Sequence, residues 1–128
     1  MPPAGTLHAR IAAVKAQFHK TRGTFTNSAI ALASRIKLFE STVTPCILYG
    51  VGAITLTKYH LEQLDRVQRR MMRLVVRWVR VPEEPWNDTM RRMRARVGSA
   101  TAQCGLQNWS CQALARKWNW AGQVARMP

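Results

Sequence analysis

The chain has 128 residues, which is enough for one domain with a modest hydrophobic core. Lys and Arg outnumber Asp and Glu by 20 to 6, giving a net charge of +14 and a pI of about 11.4. This imbalance favours a polyanionic partner, with nucleic acid first, anionic membrane second and acidic protein third.

The cysteines and the lack of long apolar runs also indicate the cellular compartment. Cys46, Cys104 and Cys111 are an odd, widely spaced set with no C-x-x-C pair, which argues against a disulfide framework and favours a reducing compartment. No apolar run reaches the length of a membrane span, and MPPAGTLHAR lacks the apolar stretch of a secretory signal. We therefore expect an intracellular, nuclear protein with no membrane partner.

The first two predicted helices precede residue 50. The first covers Leu7–Lys20, ended by Thr21-Arg22-Gly23, and a short polar stretch follows over Thr24–Ser28. Its apolar face is expected at Leu7, Ile11, Val14 and Phe18.

The second helix is predicted from about Ala29 to Tyr49, capped by Asn27 or Ser28. Pro45 removes a backbone donor and should kink or split it. A strand over Cys46–Leu56 is the competing prediction, because ILYGVGAITL is partly β-prone. The buried face of the helix is expected at Leu32, Ile36, Phe39, Val43 and Cys46 or Ile47.

The third predicted helix, over 58–80, is long, basic and amphipathic, with Thr55 or Thr57 as its cap. Its apolar residues recur every three or four positions at Leu61, Leu64, Val67, Met71, Leu74, Val75 and Trp78. Within an arc of roughly 100° on the opposite side lie Arg66, Arg69, Arg70, Arg73, Arg77 and Arg80. Six guanidiniums on one face repel one another, and a polyanion would offset that cost. The alternative is a solvated basic face that only keeps the domain in solution.

Two further helices are predicted after the breaker stretch Val81–Pro85. One spans Asn87 to about Cys104 and is closed by Gly105, with arginines that form no clean stripe. The last is capped by Asn108 or Ser110 and ends without a stop signal, as though truncated. Its apolar residues are Trp109, Leu114, Trp118, Ala121 and Val124.

These elements predict an all-α fold, a small bundle of about five helices. The expected division is a helical region over 1–80, a linker over 81–86 and a second helical segment over 87–128.

The C-terminal stretch RKWNWAGQVARM interleaves basic and aromatic residues, a pattern that can hold phosphates and stack bases. Its candidate binding residues are Arg116, Lys117, Trp118 and Arg126. The alternative is that Trp118 and Trp120 anchor a small core. Since they lie two apart on a helix, one is expected in the core and the other partly exposed.

Catalytic patterns are missing from the sequence. Asp65 and Asp88 are far apart, whereas two-metal phosphoryl chemistry needs converging carboxylates. The histidines have no ligand spacing with the cysteines, and Gly50-Val51-Gly52 lacks the rest of a phosphate-loop fingerprint. We expect no metal, no cofactor and no enzymatic activity from this chain alone.

Two groups of residues form ordered motifs. The first comprises Lys37-Leu38-Phe39, Val43, Pro45, Leu48-Tyr49-Gly50, Thr55-Leu56-Thr57-Lys58 and Gln68-Arg69-Arg70 with Arg73. The second comprises Arg116-Lys117-Trp118 and Trp120 to Met127. In this order and spacing they resemble the region that follows the catalytic palm in non-LTR (LINE-type) retrotransposon reverse transcriptases, and the resemblance extends over about Ala9 to Met127.

The chain departs from that family at three points. Ile54 stands where a Trp is expected, Gln123 replaces the His of the C-terminal box, and the x-Asp-Asp signature of the palm is absent. The resemblance therefore implies the thumb and post-thumb region without the active site. In the family this region packs against the template–primer duplex, which implies phosphate contacts from Arg66, Arg69, Arg70, Arg73 and Arg77.

The resulting hypothesis is a fragment of a retroelement reverse transcriptase that binds the backbone of RNA or DNA without sequence preference, or a remnant with no selected function. One rival is a stand-alone helix-turn-helix module, disfavoured because Gln68 is the single central amide beside the arginines. Another is an amphipathic helix that binds a membrane surface or a partner protein through its apolar face. The third alternative is an active enzyme whose catalytic palm is supplied by another chain.

Overall fold

A computed structural model describes residues 6–51, 54–77 and 81–126. Over these residues the chain forms helices and no strand, which confirms the predicted all-α class. The helices are α1 Leu7–Lys20, α2 Arg22–Phe25, α3 Leu32–Val51, α4 Lys58–Val76, α5 Trp86–Gln103 and α6 Trp109–Arg126. The competing strand over Cys46–Leu56 is wrong, since α3 continues to Val51.

α1 has the predicted bounds and the predicted buried face. Its four apolar residues are all buried, and the Thr6 hydroxyl caps it by accepting a hydrogen bond from the Ala9 N–H. The sequence did not predict α2. Phe25, in the stretch expected to be polar loop, is fully buried and stacks on Phe18 at 5.2 Å between ring centroids. A four-residue helix carries no periodic signal, so this tertiary contact determines its position.

α3 runs through Pro45 without a break. Val43 and Ile47, on either side of the proline, are both fully buried, and their burial holds the helix together despite the missing donor. Ile47 rather than the exposed Cys46 continues the buried face. Asn27 does not cap α3, which begins at Leu32. Its side-chain oxygen accepts from the Ala29 N–H and shapes the preceding turn.

α4 begins as predicted and ends earlier. Thr57 forms a capping box with His60 at its start. The prediction of a helix to residue 80 is wrong, because Arg77 adopts φ 73° and ends the helix after Val76. A tertiary contact covers this helix end: the Arg35 guanidinium donates at 2.8 Å to the Val75 carbonyl, which lies in the last turn of α4 and has no partner within the helix. Trp78 and Arg80, both predicted on this helix, lie outside the described residues.

α5 and α6 pack against α3 and α4, so the helices on the two sides of the predicted linker share one hydrophobic core. Gly105 ends α5 as predicted, with φ 65°. The N–H groups of Gly105 and Leu106 bond the carbonyls of Ala102 and Thr101, the pattern of a Schellman cap.

Trp109 is the tryptophan at the centre of the core. It is fully buried, stacks on Phe39 at 5.9 Å, and its ring N–H donates to the Thr44 hydroxyl at 2.9 Å. The prediction that Trp118 or Trp120 is a core residue is wrong, since they are 75% and 67% exposed. Leu114, Ala121 and Val124 of α6 are exposed as well.

Candidate nucleic-acid interface

A groove of about 760 Å³ lies between α4 and α5. Its basic lining residues are Arg66, Arg69, Arg70 and Arg73 of α4 and Arg94 of α5. Its apolar floor is made of Met72, Met90, Met93 and Val97. We call this feature the arginine groove. Arg73 is half-buried and the other four arginines are exposed, so their guanidiniums can reach a ligand.

The arginine groove gathers four of the ten predicted site residues. Arg77 is exposed and lies past the last turn of α4, outside the groove lining. Arg116, Lys117, Trp118 and Arg126 belong to α6, which also lies outside it. The sequence did not predict Arg94 as a site residue, because only the packing of α5 on α4 shows which α5 arginine lies beside the α4 arginines.

The five arginines of the groove carry uncompensated charge. Within 6–51, 54–77 and 81–126, none of them forms a salt bridge. Nearby acids are engaged elsewhere: Glu84 pairs with Arg92 at 3.2 Å and accepts from the Thr89 hydroxyl, and Asp88 lies 3.8 Å from Arg91. The groove therefore concentrates positive potential that a polyanion would relieve.

Two polar residues of α4 have a structural role that the sequence did not reveal. The Asp65 carboxylate accepts hydrogen bonds from the N–H and the hydroxyl of Ser110, and the Gln68 oxygen accepts from the Trp109 N–H. These acceptors satisfy the free N–H groups at the start of α6 and place a negative charge at the positive end of its dipole. Asp65 and Gln68 therefore hold α6 against α4, and Gln68 is not available to read a base.

Asp65→Ala is expected to lower the free energy of unfolding by about 1–2 kcal/mol, the usual effect of losing a helix cap. Chemical denaturation followed by far-UV circular dichroism measures it. Glu62→Ala is the matched control, because Glu62 is an exposed acid on the same helix. Equal losses for the two variants would contradict the capping role.

Among the described residues, Arg35 is the one charged residue that is buried, and its sequence context did not predict a role for it. It is 6% exposed, donates to the carbonyls of Val75 and Phe25, and leaves its Nε without a partner. Burial, together with the nearby charges of Arg77 and Arg96, lowers the pKa of the Arg35 guanidinium. Its donation to Val75 places a cation at the C-terminal end of α4, where the helix dipole favours it.

The C-terminal half of α6 is a second basic and aromatic surface. Arg116, Trp118 and Arg126 are exposed, whereas the Lys117 ammonium donates to the Ile54 carbonyl at 2.6 Å. The Lys117 bond directs α6 back toward the N-terminal end of α4. This surface is therefore separate from the arginine groove, and Lys117 has less freedom to contact a phosphate than its neighbours.

The described residues contain no group of three His, Cys, Asp or Glu side chains able to hold a metal ion. The three cysteines are free and exposed. Among the described helices, none combines the length and hydropathy needed to cross a bilayer. No protein-family model, curated protein or solved structure matches the chain.

Proposed function

We propose that the chain binds RNA or DNA without sequence preference through phosphate contacts from the arginine groove. The observation that carries this proposal is that five arginines from two helices line one groove with no salt bridge to any described acid. A guanidinium offers several donors in a planar fork that fits phosphate oxygens.

The lack of sequence preference follows from the side chains at hand. Sequence-specific readout combines arginine at guanine with amides at adenine and carboxylates at cytosine, each reaching a base edge in a groove of the duplex. Gln68, the central amide of α4, is buried and already bonded to the Trp109 N–H and the Gln107 carbonyl. Phosphate contacts from arginine fix position and supply affinity, and they carry no sequence information.

The resemblance to the thumb and post-thumb region of non-LTR reverse transcriptases supports the same proposal. Gln68-Arg69-Arg70 and Arg73 belong to the first motif and lie on α4. All four line the arginine groove. We infer that the chain corresponds to the thumb and post-thumb region of such a polymerase, and that its ligand is the template–primer nucleic acid. On this proposal its location is intracellular and nuclear.

The rival function as a membrane-surface or partner-binding helix needs the apolar face of α4 to be free. Leu64, Met71 and Val75 on that face are buried in the core. Most of the apolar face of α4 is therefore covered while the bundle is folded.

A salt series with the purified chain tests the proposal. We expect tight binding to a labelled RNA–DNA hybrid and equal binding to random duplexes. If all five groove arginines contact phosphates of a duplex, log K should fall against log salt with a slope of about −4.5. Absence of binding at low salt, or a strong preference for one sequence, would contradict sequence-independent phosphate contact.

A further inference from the structure

We propose that the arginine groove binds an unpaired stretch of nucleic acid, with bases against its apolar floor and phosphates against its arginines. This inference rests on the proposed function and deepens it by naming the ligand as single-stranded.

Shape is the first argument. At about 760 Å³ the groove has the size of sites that enclose small molecules, and its lining is concave. A duplex keeps its bases stacked inside and presents its phosphates on a convex surface, so it would contact the arginines and leave the apolar floor uncovered. An unpaired strand can turn its bases out of the stack and insert them.

The floor is the second argument. Met90 and Val97 line the groove and are half-buried, so they are the floor residues that a base can reach, whereas Met72 and Met93 are buried. Methionine sulfur makes favourable contacts with aromatic rings, and guanidinium planes stack on bases. A nucleotide carries a charge and an aromatic face in every unit, which matches arginine walls above an apolar floor. An acidic peptide carries these two features on different residues, so it fits the groove less well.

The polar lining is the third argument. The Gln68 amide is bonded within the protein, and the Thr101 hydroxyl donates to the carbonyls of Val97 and Gly98. Asn108 remains as a lining amide that can meet a base edge. One amide is too few to read a sequence, so stacking and charge dominate, as in sequence-tolerant single-strand binding.

Gly98 provides the test. It lines the groove from α5, and a Cβ added there would meet no atom within 4 Å. Gly98→Leu therefore fills the groove while every arginine stays in place, and a better helix former replaces a helical glycine. Gly23→Leu is the matched control, because Gly23 is helical, equally open and outside the groove. Thermal melts should show both variants folded.

The probes are a labelled oligothymidylate, a blunt duplex with the same number of phosphates, and a peptide of alternating Glu and Phe. We expect Gly98→Leu to weaken oligothymidylate binding at least tenfold and duplex binding less than twofold, and Gly23→Leu to change neither. Equal oligothymidylate binding by Gly98→Leu and wild type would overturn the single-strand proposal, while salt-sensitive binding of both probes would leave the proposed function standing. Binding of neither probe would overturn both. Tighter binding of the peptide than of oligothymidylate, lost in Gly98→Leu, would make the groove a protein-docking site and overturn the single-strand proposal.

Discussion

The double variant Arg69→Ala plus Arg73→Ala is expected to weaken binding to an RNA–DNA hybrid by roughly 10–100-fold, because a hydrogen bond to a charged group contributes about 1.5 kcal/mol or more and 1.4 kcal/mol is a factor of ten. The two side chains lie one helical turn apart on α4 and both line the arginine groove. The slope of log K against log salt should become shallower by about 2, since two counterion-releasing contacts are lost. Fluorescence anisotropy across a salt series measures both quantities.

Arg10→Ala plus Arg22→Ala is the control for this measurement. It removes the same charge from exposed positions on α1 and α2, away from the groove. If general positive charge were sufficient for binding, the two double variants would lose equal affinity. That outcome, or binding by Arg69→Ala plus Arg73→Ala at the wild-type level, would exclude the arginine groove as the interface.

Trp109→Ala is expected to lower the free energy of unfolding by about 3–5 kcal/mol, the usual effect of removing a buried large aromatic side chain. The loss combines the cavity left beside Phe39 with the lost hydrogen bond from the indole N–H to the Thr44 hydroxyl, which keeps its donation to Glu40. Because domains of this kind are stable by only about 5–15 kcal/mol, the variant should be close to unfolding at physiological temperature. Denaturant titration followed by far-UV circular dichroism gives the difference.

Trp118→Ala is the matched control for Trp109→Ala. Both residues are tryptophans on α6, but Trp118 is 75% exposed, so its removal should change stability by less than about 0.5 kcal/mol. A large loss for Trp118→Ala, or a small one for Trp109→Ala, would show that α6 packs through a different face.

Patterns within a few residues predicted much of the fold. The three-and-four spacing of Leu7, Ile11, Val14 and Phe18 gave the bounds and the buried face of α1. Thr57 and Gly105 marked the start of α4 and the end of α5, because a capping hydroxyl and a left-handed glycine act on the adjacent turn. The identity of the parent family stays a prediction, based on two ordered motifs.

The sequence-based predictions of helix ends and buried faces are wrong where contacts between distant residues override local helix preference. α3 continues through Pro45 because its apolar neighbours are buried on both sides. α4 ends at Val76, where Arg77 adopts φ 73° and Arg35, 40 residues earlier, bonds the Val75 carbonyl. Leu114, Trp118 and Val124 of α6 are exposed although they recur at helical spacing, because spacing shows which residues share a face and not whether another helix covers that face.

The sequence by itself determined the helical class, the core-facing sides of α1 and α4, and the arginine stripe from Arg66 to Arg73. The tertiary structure decided that α5 adds Arg94 and a methionine floor to that stripe, and that Asp65 and Gln68 hold α6 in place. The physical reason is distance along the chain. Helix formation and amphipathicity depend on residues up to four positions apart, whereas these caps join residues 45 and 41 positions apart and depend on which helix surfaces pack together.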